Sequence, residues 1–124
     1  MRINEAINRL DALKCNTYSQ EDKVAWLSHL DSMVKEQIID NHEGSESVSF
    51  SGYTAETPID TVLLVPAPYD EIYLRWMEAQ IDYHNGEYDK YNNAIIMFNT
   101  AFEAYQSHYN STHMPVSRGK RFLF

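Results

Sequence analysis

A seam of large apolar side chains near the C-terminal end of the chain constrains the fold most strongly. Its members lie alternately three and four residues apart: Tyr88, Tyr91, Ile95, Phe98, Phe102, Tyr105 and Tyr109. Residues at this spacing share one helix face, so the pattern predicts a helix over residues 87–109, roughly 35 Å long. Most members are aromatic, whereas a dimeric coiled coil favours Leu, Ile and Val. The seam therefore predicts the inside of a small helical domain rather than a zipper.

Three further helices are predicted upstream of the seam. The first, over residues 1–14, carries an apolar stripe of Ile3, Ile7, Leu10 and Leu13. The second is capped by Ser19 and runs to about Asp40, with a buried stripe of Val24, Leu27, Leu30, Val34 and Ile38. The third, over residues 69–85, begins after Pro68 and ends at Asn85-Gly86, a pair suited to a left-handed cap. The fold class is therefore mainly α, a four-helix bundle-like domain.

The segment at about residues 41–66 differs from the helical remainder. Val48 and Phe50 alternate with serines, and residues 61–65 form a short β-branched run. These patterns predict a small β-hairpin through residues 47–53 and 61–65. An ordered but irregular loop is the alternative, since an isolated hairpin is marginal without a surface to pack on.

The third helix is apolar on two opposite faces. One face carries Ile72, Trp76, Ala79 and Tyr83. The opposite face carries Leu74, Met77 and Ile81. Such a helix must be covered twice, either inside one subunit or partly by a neighbouring subunit. On the second interpretation, Leu74, Met77 and Ile81 form a subunit interface.

Charge is distributed unevenly along the chain. The 124 residues include 18 acidic and 10 basic side chains, a net charge of −8, which disfavours general nucleic-acid binding. Arg118, Lys120 and Arg121 lie near the C-terminal end, and the last acidic residue is Glu103. We therefore divide the chain into a helical domain, residues 1–114, and a C-terminal arm, residues 115–124.

The arm combines these bases with the apolar residues Phe122, Leu123 and Phe124. In one interpretation it packs on the domain's own core. In the other it is an extended arm that binds an adjacent subunit or partner, with its bases meeting an acidic surface. On the second interpretation, Arg118, Lys120, Arg121, Phe122 and Phe124 are interface residues.

No motif in the sequence indicates an enzymatic activity. The five histidines form neither an HExxH motif nor a helical Glu-x-x-His pair, and the four glycines form no phosphate-binding loop. Cys15 has no neighbouring histidine, and a single cysteine suits a reducing compartment. No apolar run reaches the roughly 20 residues that cross a bilayer. We expect a soluble, intracellularly made protein without catalytic residues, cofactor, metal or membrane contact.

Four stretches carry a resemblance to a known group. They are residues 18–27 (YSQEDKVAWL), 65–70 (VPAPYD), 86–94 (GEYDKYNNA) and 109–115 (YNSTHMP). Together they resemble small prophage proteins encoded with the virion genes of tailed bacteriophages. The wider class that the chain looks like is the head–tail connector, or head-completion adaptor, family.

That resemblance implies a non-enzymatic helical subunit that assembles as a ring between the portal and the tail. It implies portal and tail or stopper proteins as partners, self-association on assembly, and a place in the virion after synthesis in the host cytoplasm. Sequence-specific nucleic-acid binding is not expected. Another tail-module assembly protein, or a small regulatory module that binds a protein, is the alternative.

Overall fold

Four α-helices make up most of the molecule. The computed structural model describes residues 1–114. The helices are α1 (Ile3–Leu13), α2 (Gln20–Gln37), α3 (Ile72–His84) and α4 (Tyr88–Thr112). Short 3₁₀ turns occupy Ile39–Asn41, Ser45–Ser47 and Tyr69–Glu71. The predicted mainly α, four-helix architecture is confirmed.

Local sequence signals set the helix ends. Ser19 Oγ accepts a hydrogen bond from the Asp22 N–H at 3.1 Å, as its predicted N-cap role requires. Between α3 and α4, Gly86 adopts a positive φ of 76°. The Gly86 N–H donates to the Tyr83 carbonyl and the Glu87 N–H to that of Asp82, which together form a Schellman cap. Asn85-Gly86 therefore turns the chain tightly into α4.

The core lies where α3 is enclosed by the other helices. Helix α3 contacts α1, α2 and α4. The buried stripe of α2 is the predicted one: Val24, Leu27, Leu30, Val34 and Ile38. In α1, Ile3, Ile7 and Leu10 are buried, whereas Leu13 at the end of the helix is exposed. The α1 prediction is therefore correct except at its last position.

The β-hairpin prediction is wrong. Residues 1–114 contain no strand, and the β pairing described for them is an isolated antiparallel bridge between Arg2 and Val62. The Ile3 N–H donates to the Thr61 carbonyl, and the Leu63 N–H donates to that of Met1. Residues 61–63 thus pair with the start of the chain and not with residues 47–53. The alternative, an ordered irregular loop, describes this segment.

A candidate interaction surface

The apolar face of α3 that was predicted as an interface lies inside the domain. Leu74, Met77 and Ile81 are 6%, 0% and 0% exposed. The cause is the central position of α3, which contacts α1, α2 and α4. The interpretation in which these residues contact a neighbouring subunit is corrected, because all three are buried within one subunit.

The remaining predicted interface residues belong to the arm. Arg118, Lys120, Arg121, Phe122 and Phe124 lie outside the described residues. Their interface role stays a prediction. The described chain reaches Met114, whose carbonyl accepts a hydrogen bond from the Glu43 N–H at 2.8 Å. This bond holds Met114, the residue directly before the arm, beside Glu43.

A cluster of aromatic rings lies at the α3–α4 turn and the start of α2. We call it the aromatic patch, and its members are Tyr18, Trp26, Tyr83, His84, Tyr88 and Tyr91. Tyr83 and Tyr88 are 52% and 61% exposed, so the chain leaves large parts of both rings in solvent. Aromatic residues of this kind are preferred anchors at protein interfaces. The aromatic patch is therefore the leading candidate for a functional surface.

Ring contacts organise the patch into a continuous surface. The Tyr83 ring lies 5.4 Å from that of Tyr91 and 6.1 Å from that of Tyr88, centroid to centroid. His84 lies 5.6 Å from Trp26, which brings α3 against α2. Such distances are those of favourable aromatic pairs, so the exposed rings are held in position before any partner binds.

A hydrogen bond also holds the patch. The Tyr18 hydroxyl donates to Asn85 Oδ1 at 2.6 Å and so ties the segment before α2 to the α3–α4 turn. Asn85 is the residue that precedes the positive-φ Gly86. The turn that reverses the chain thus also positions the patch.

The charged residues beside the patch are mostly acidic. Asp22 lies in the first turn of α2, four residues before Trp26 and on the same helix face, and Glu87 and Asp89 flank Tyr88. All three are exposed. Three lysines lie in or near these segments, and each has an acidic partner. Lys23 is buried, and its Nζ is 2.7 Å from Asp11 Oδ1. Lys90 Nζ is 3.1 Å from Glu87 Oε2, and Lys14 Nζ is 2.7 Å from Asp82 Oδ1. The patch therefore offers aromatic faces within an acidic surrounding.

A second apolar feature lies along the side of α4. It is a groove of about 340 Å³ lined by Glu71, Arg75, Ile96, Met97, Thr100, Ala101 and Ala104. Ile96 and Met97 are 61% and 48% exposed. Arg75 is paired with Glu71 at 3.2 Å and with Glu78 at 3.5 Å along the rim. Exposed apolar side chains thus extend along α4 beyond the patch.

A buried carboxylate organises the opposite end of the domain. Asp31 is fully buried and accepts hydrogen bonds from the hydroxyls of Tyr53 and Tyr73, at 2.5 and 2.6 Å, and from the Leu64 N–H at 3.1 Å. Burial raises the pKa of Asp31, although the hydrogen bonds from these partners act in the opposite direction. The network joins residues 53 and 64 to α2 and α3, and its burial makes it structural.

Residues 1–114 offer neither a metal site nor a membrane-spanning helix. No group of three or more His, Cys, Asp or Glu residues within that range is arranged to hold a metal ion. His42 and His113 lie near the Tyr109 ring, at 4.8 and 3.7 Å between centroids. Within the same range, every helix is too short or too polar to cross a membrane.

Sequence reasoning missed both the aromatic patch and the Asp31 network. Tyr83 was assigned to a covered face of α3, yet it is 52% exposed near the end of that helix, although its ring contacts Tyr88 and Tyr91 of α4. Asp31 occupies a position four residues after Leu27, within the buried stripe of α2. An acidic residue in such a stripe was the available signal for a buried polar network.

Comparison of the chain with protein-family models, with curated proteins and with solved structures gives no match.

Proposed function

We propose that this protein is a non-enzymatic virion subunit, a head–tail connector that assembles as a ring between the portal and the tail of a tailed bacteriophage. The observation that carries the proposal is the aromatic patch, a pre-positioned and largely exposed surface on a small helical domain. The sequence resemblance to prophage virion proteins supplies the biological setting.

The buried acidic residues support a structural role. Asp31 uses both carboxylate oxygens to accept hydrogen bonds from Tyr53, Tyr73 and the Leu64 N–H. Asp82 is buried beside the Lys14 ammonium group. Both carboxylates are thus engaged in holding the domain together rather than presented to a substrate.

Residues 50–53, within the irregular loop, pack on the domain and do not supply the proposed contacts. Tyr53 is buried, and Phe50 packs against it at 5.0 Å between ring centroids. The Tyr53 N–H also donates to Ser28 Oγ at 3.0 Å. Because residues 50–53 pack on α2, the proposed contacts come from the aromatic patch and the arm.

The proposed mechanism is assembly rather than catalysis. Each subunit presents its patch to a neighbour, and closure of the ring makes each contact effectively intramolecular, so weak contacts add up to a stable assembly. The portal on one side and a tail or stopper protein on the other are the proposed partners. Ordering of segments on docking costs conformational entropy, which burial of aromatic surface offsets.

Native mass spectrometry of the full chain with purified portal tests this function. We expect a complex with several copies of this chain per portal ring. A variant lacking residues 115–124 should impair phage assembly, whereas the same segment in scrambled order serves as the matched control for chain length and charge. Absence of a portal complex, together with normal assembly of the deletion variant, would contradict the proposal.

A further inference from the structure

We propose that the aromatic patch is the docking site for residues 118–122 of a second copy of this chain. This contact rests on the proposed function, because it gives the ring its link between neighbouring subunits. Residues 118–122 contain Arg118, Lys120, Arg121 and Phe122. Three features of the molecule favour this contact: the exposure of the patch, the charge around it, and the distance between the patch and the chain's own arm.

The chemistry of the two surfaces is complementary. Arginine and lysine side chains bind favourably over the faces of Tyr and Trp, and Phe packs against their edges. The patch offers Tyr83 and Tyr88 for these contacts. The exposed carboxylates of Asp22 and Asp89 provide the opposite charge. The patch thus matches both the bases and the aromatic residue of segment 118–122.

The distribution of charge along the whole chain also favours binding of the arm to the domain of another copy. All 18 acidic residues lie in residues 1–114, with seven of the ten basic residues, so this part carries −11 and the arm carries +3. Opposite charges on two surfaces accelerate encounter and select the partner. An acidic domain and a basic arm therefore favour association of the arm with a domain.

Covalent geometry excludes the chain's own arm as the occupant. Tyr88 and Thr112 are the two ends of a 25-residue helix, which is about 36 Å long. Arg118 lies four positions after Met114, and an extended chain of that length spans at most about 14 Å. Met114 is held beside Glu43 at the far end of the helix. Segment 118–122 as a whole therefore cannot lie on the patch of its own chain, which leaves a second copy as the proposed partner.

The resulting contact is head-to-tail. The patch at the start of α4 and the arm beyond its end are different surfaces, so each copy uses one to bind the copy before it and the other to bind the copy after it. Such an arrangement closes into a ring when the rotation between copies permits. A peptide-sized interface is smaller than those of stable dimers, so we expect weak association in solution and stronger association in a closed ring.

Two complementary variants of the full chain test this contact by sedimentation velocity. The patch variant is Tyr83→Ser/Tyr88→Ser, and the arm variant is Arg118→Glu/Lys120→Glu/Arg121→Glu. We expect the wild-type chain to self-associate with rising concentration and each variant alone to associate at least tenfold more weakly. An equimolar mixture should form a discrete heterodimer, because the intact arm of the patch variant binds the intact patch of the arm variant.

Matched controls separate the contact from general surface effects. Ile96→Ser removes an apolar side chain that is 61% exposed and lies outside the patch, and Arg9→Glu reverses an exposed base in α1. Both controls should associate like the wild-type chain. Circular dichroism checks that every variant retains its helices; if the patch variant unfolds, Tyr88→Ser alone replaces it in the mixture.

The proposed contact would be overturned by a wild-type chain that stays monomeric, by an arm variant that associates normally, or by a mixture without heterodimer. Its failure is distinguishable from failure of the proposed function. Mass spectrometry of purified virions measures the function directly, since a chain absent from virions would overturn the connector role even if the heterodimer formed.

Discussion

The apolar seam runs along the whole of α4, but its side chains are buried at the C-terminal end of the helix and exposed at the N-terminal end. Near the C-terminal end, Tyr105 and Tyr109 are buried against the core, at 2% and 9% exposure. At the N-terminal end Tyr88 is 61% exposed and Tyr91 is half-buried. The periodicity is unbroken, yet the later part of the helix also faces residues that lie outside α3, among them Ile39, Leu64 and Tyr69. Periodicity thus defines which face is apolar, while tertiary packing decides what covers it.

The largest effect should come from truncating the covered part of the seam. Phe98 is 5% exposed and packs against Trp76 and Phe102, with ring centroids 5.0 and 5.6 Å away. Phe98→Ala should therefore lower the free energy of unfolding by about 3–5 kcal/mol, measured by urea denaturation. Ile96→Ala, on an exposed position of the same helix, is the control and should change it by less than about 0.5 kcal/mol. Equal losses of unfolding free energy in Phe98→Ala and Ile96→Ala would contradict the difference between covered and exposed positions of α4.

A smaller effect should follow removal of one hydroxyl from the Asp31 network. The Tyr73 hydroxyl donates to Asp31 Oδ1 at 2.6 Å and accepts from the Val65 N–H at 2.7 Å. Tyr73→Phe leaves buried polar groups without a partner, so we expect a loss of about 1–3 kcal/mol in unfolding free energy. Amide hydrogen exchange at Val65 should accelerate. Tyr88→Phe is the matched control, and an equal loss there would contradict the assignment.

The same network should make stability depend on pH. Because burial raises the folded-state pKa of Asp31 above 3.8, its contribution to stability is full below that value. The contribution is then lost as pH rises through the folded-state pKa. The wild-type chain should therefore lose stability relative to Asp31→Asn over this interval, measured by urea unfolding at successive pH values. A difference between the two chains that stays constant with pH would refute this prediction.

The smallest effect on stability is expected at the exposed end of the seam. Tyr88→Ser should change the unfolding free energy by less than about 0.5 kcal/mol, because its ring contributes little buried area. Thermal unfolding monitored by circular dichroism measures this change. The same substitution in Tyr105, which is buried, provides the contrast and should be strongly destabilising. A large loss for Tyr88→Ser would show that the patch belongs to the core.

The helices were predictable because local signals specify them. The alternating spacing marked α4, Ser19 marked the start of α2, and Asn85-Gly86 marked the turn between α3 and α4. Each signal acts over a few residues and needs no knowledge of the tertiary structure. The main features of the fold were therefore available from the sequence.

The coverage of each face was not predictable in the same way. The opposite faces of α3 looked suited to a neighbouring subunit, but α1, α2 and α4 bury Met77 and Ile81 within one chain. Asp82, a charged residue of α3, is buried beside Lys14. The segment at residues 61–65 pairs with the start of the chain, a long-range contact that strand propensity does not specify. These outcomes depend on contacts between residues far apart in the sequence.

Acetylation of tyrosine side chains, measured in the isolated chain and in the assembled ring, tests the central claim most directly. Tyr83 and Tyr88 should react readily in the isolated chain and become protected in the ring, where a second copy covers them. Tyr105, whose pKa burial raises to about 12, should stay protected in both states. Unchanged reactivity of Tyr83 and Tyr88 on assembly would contradict the account.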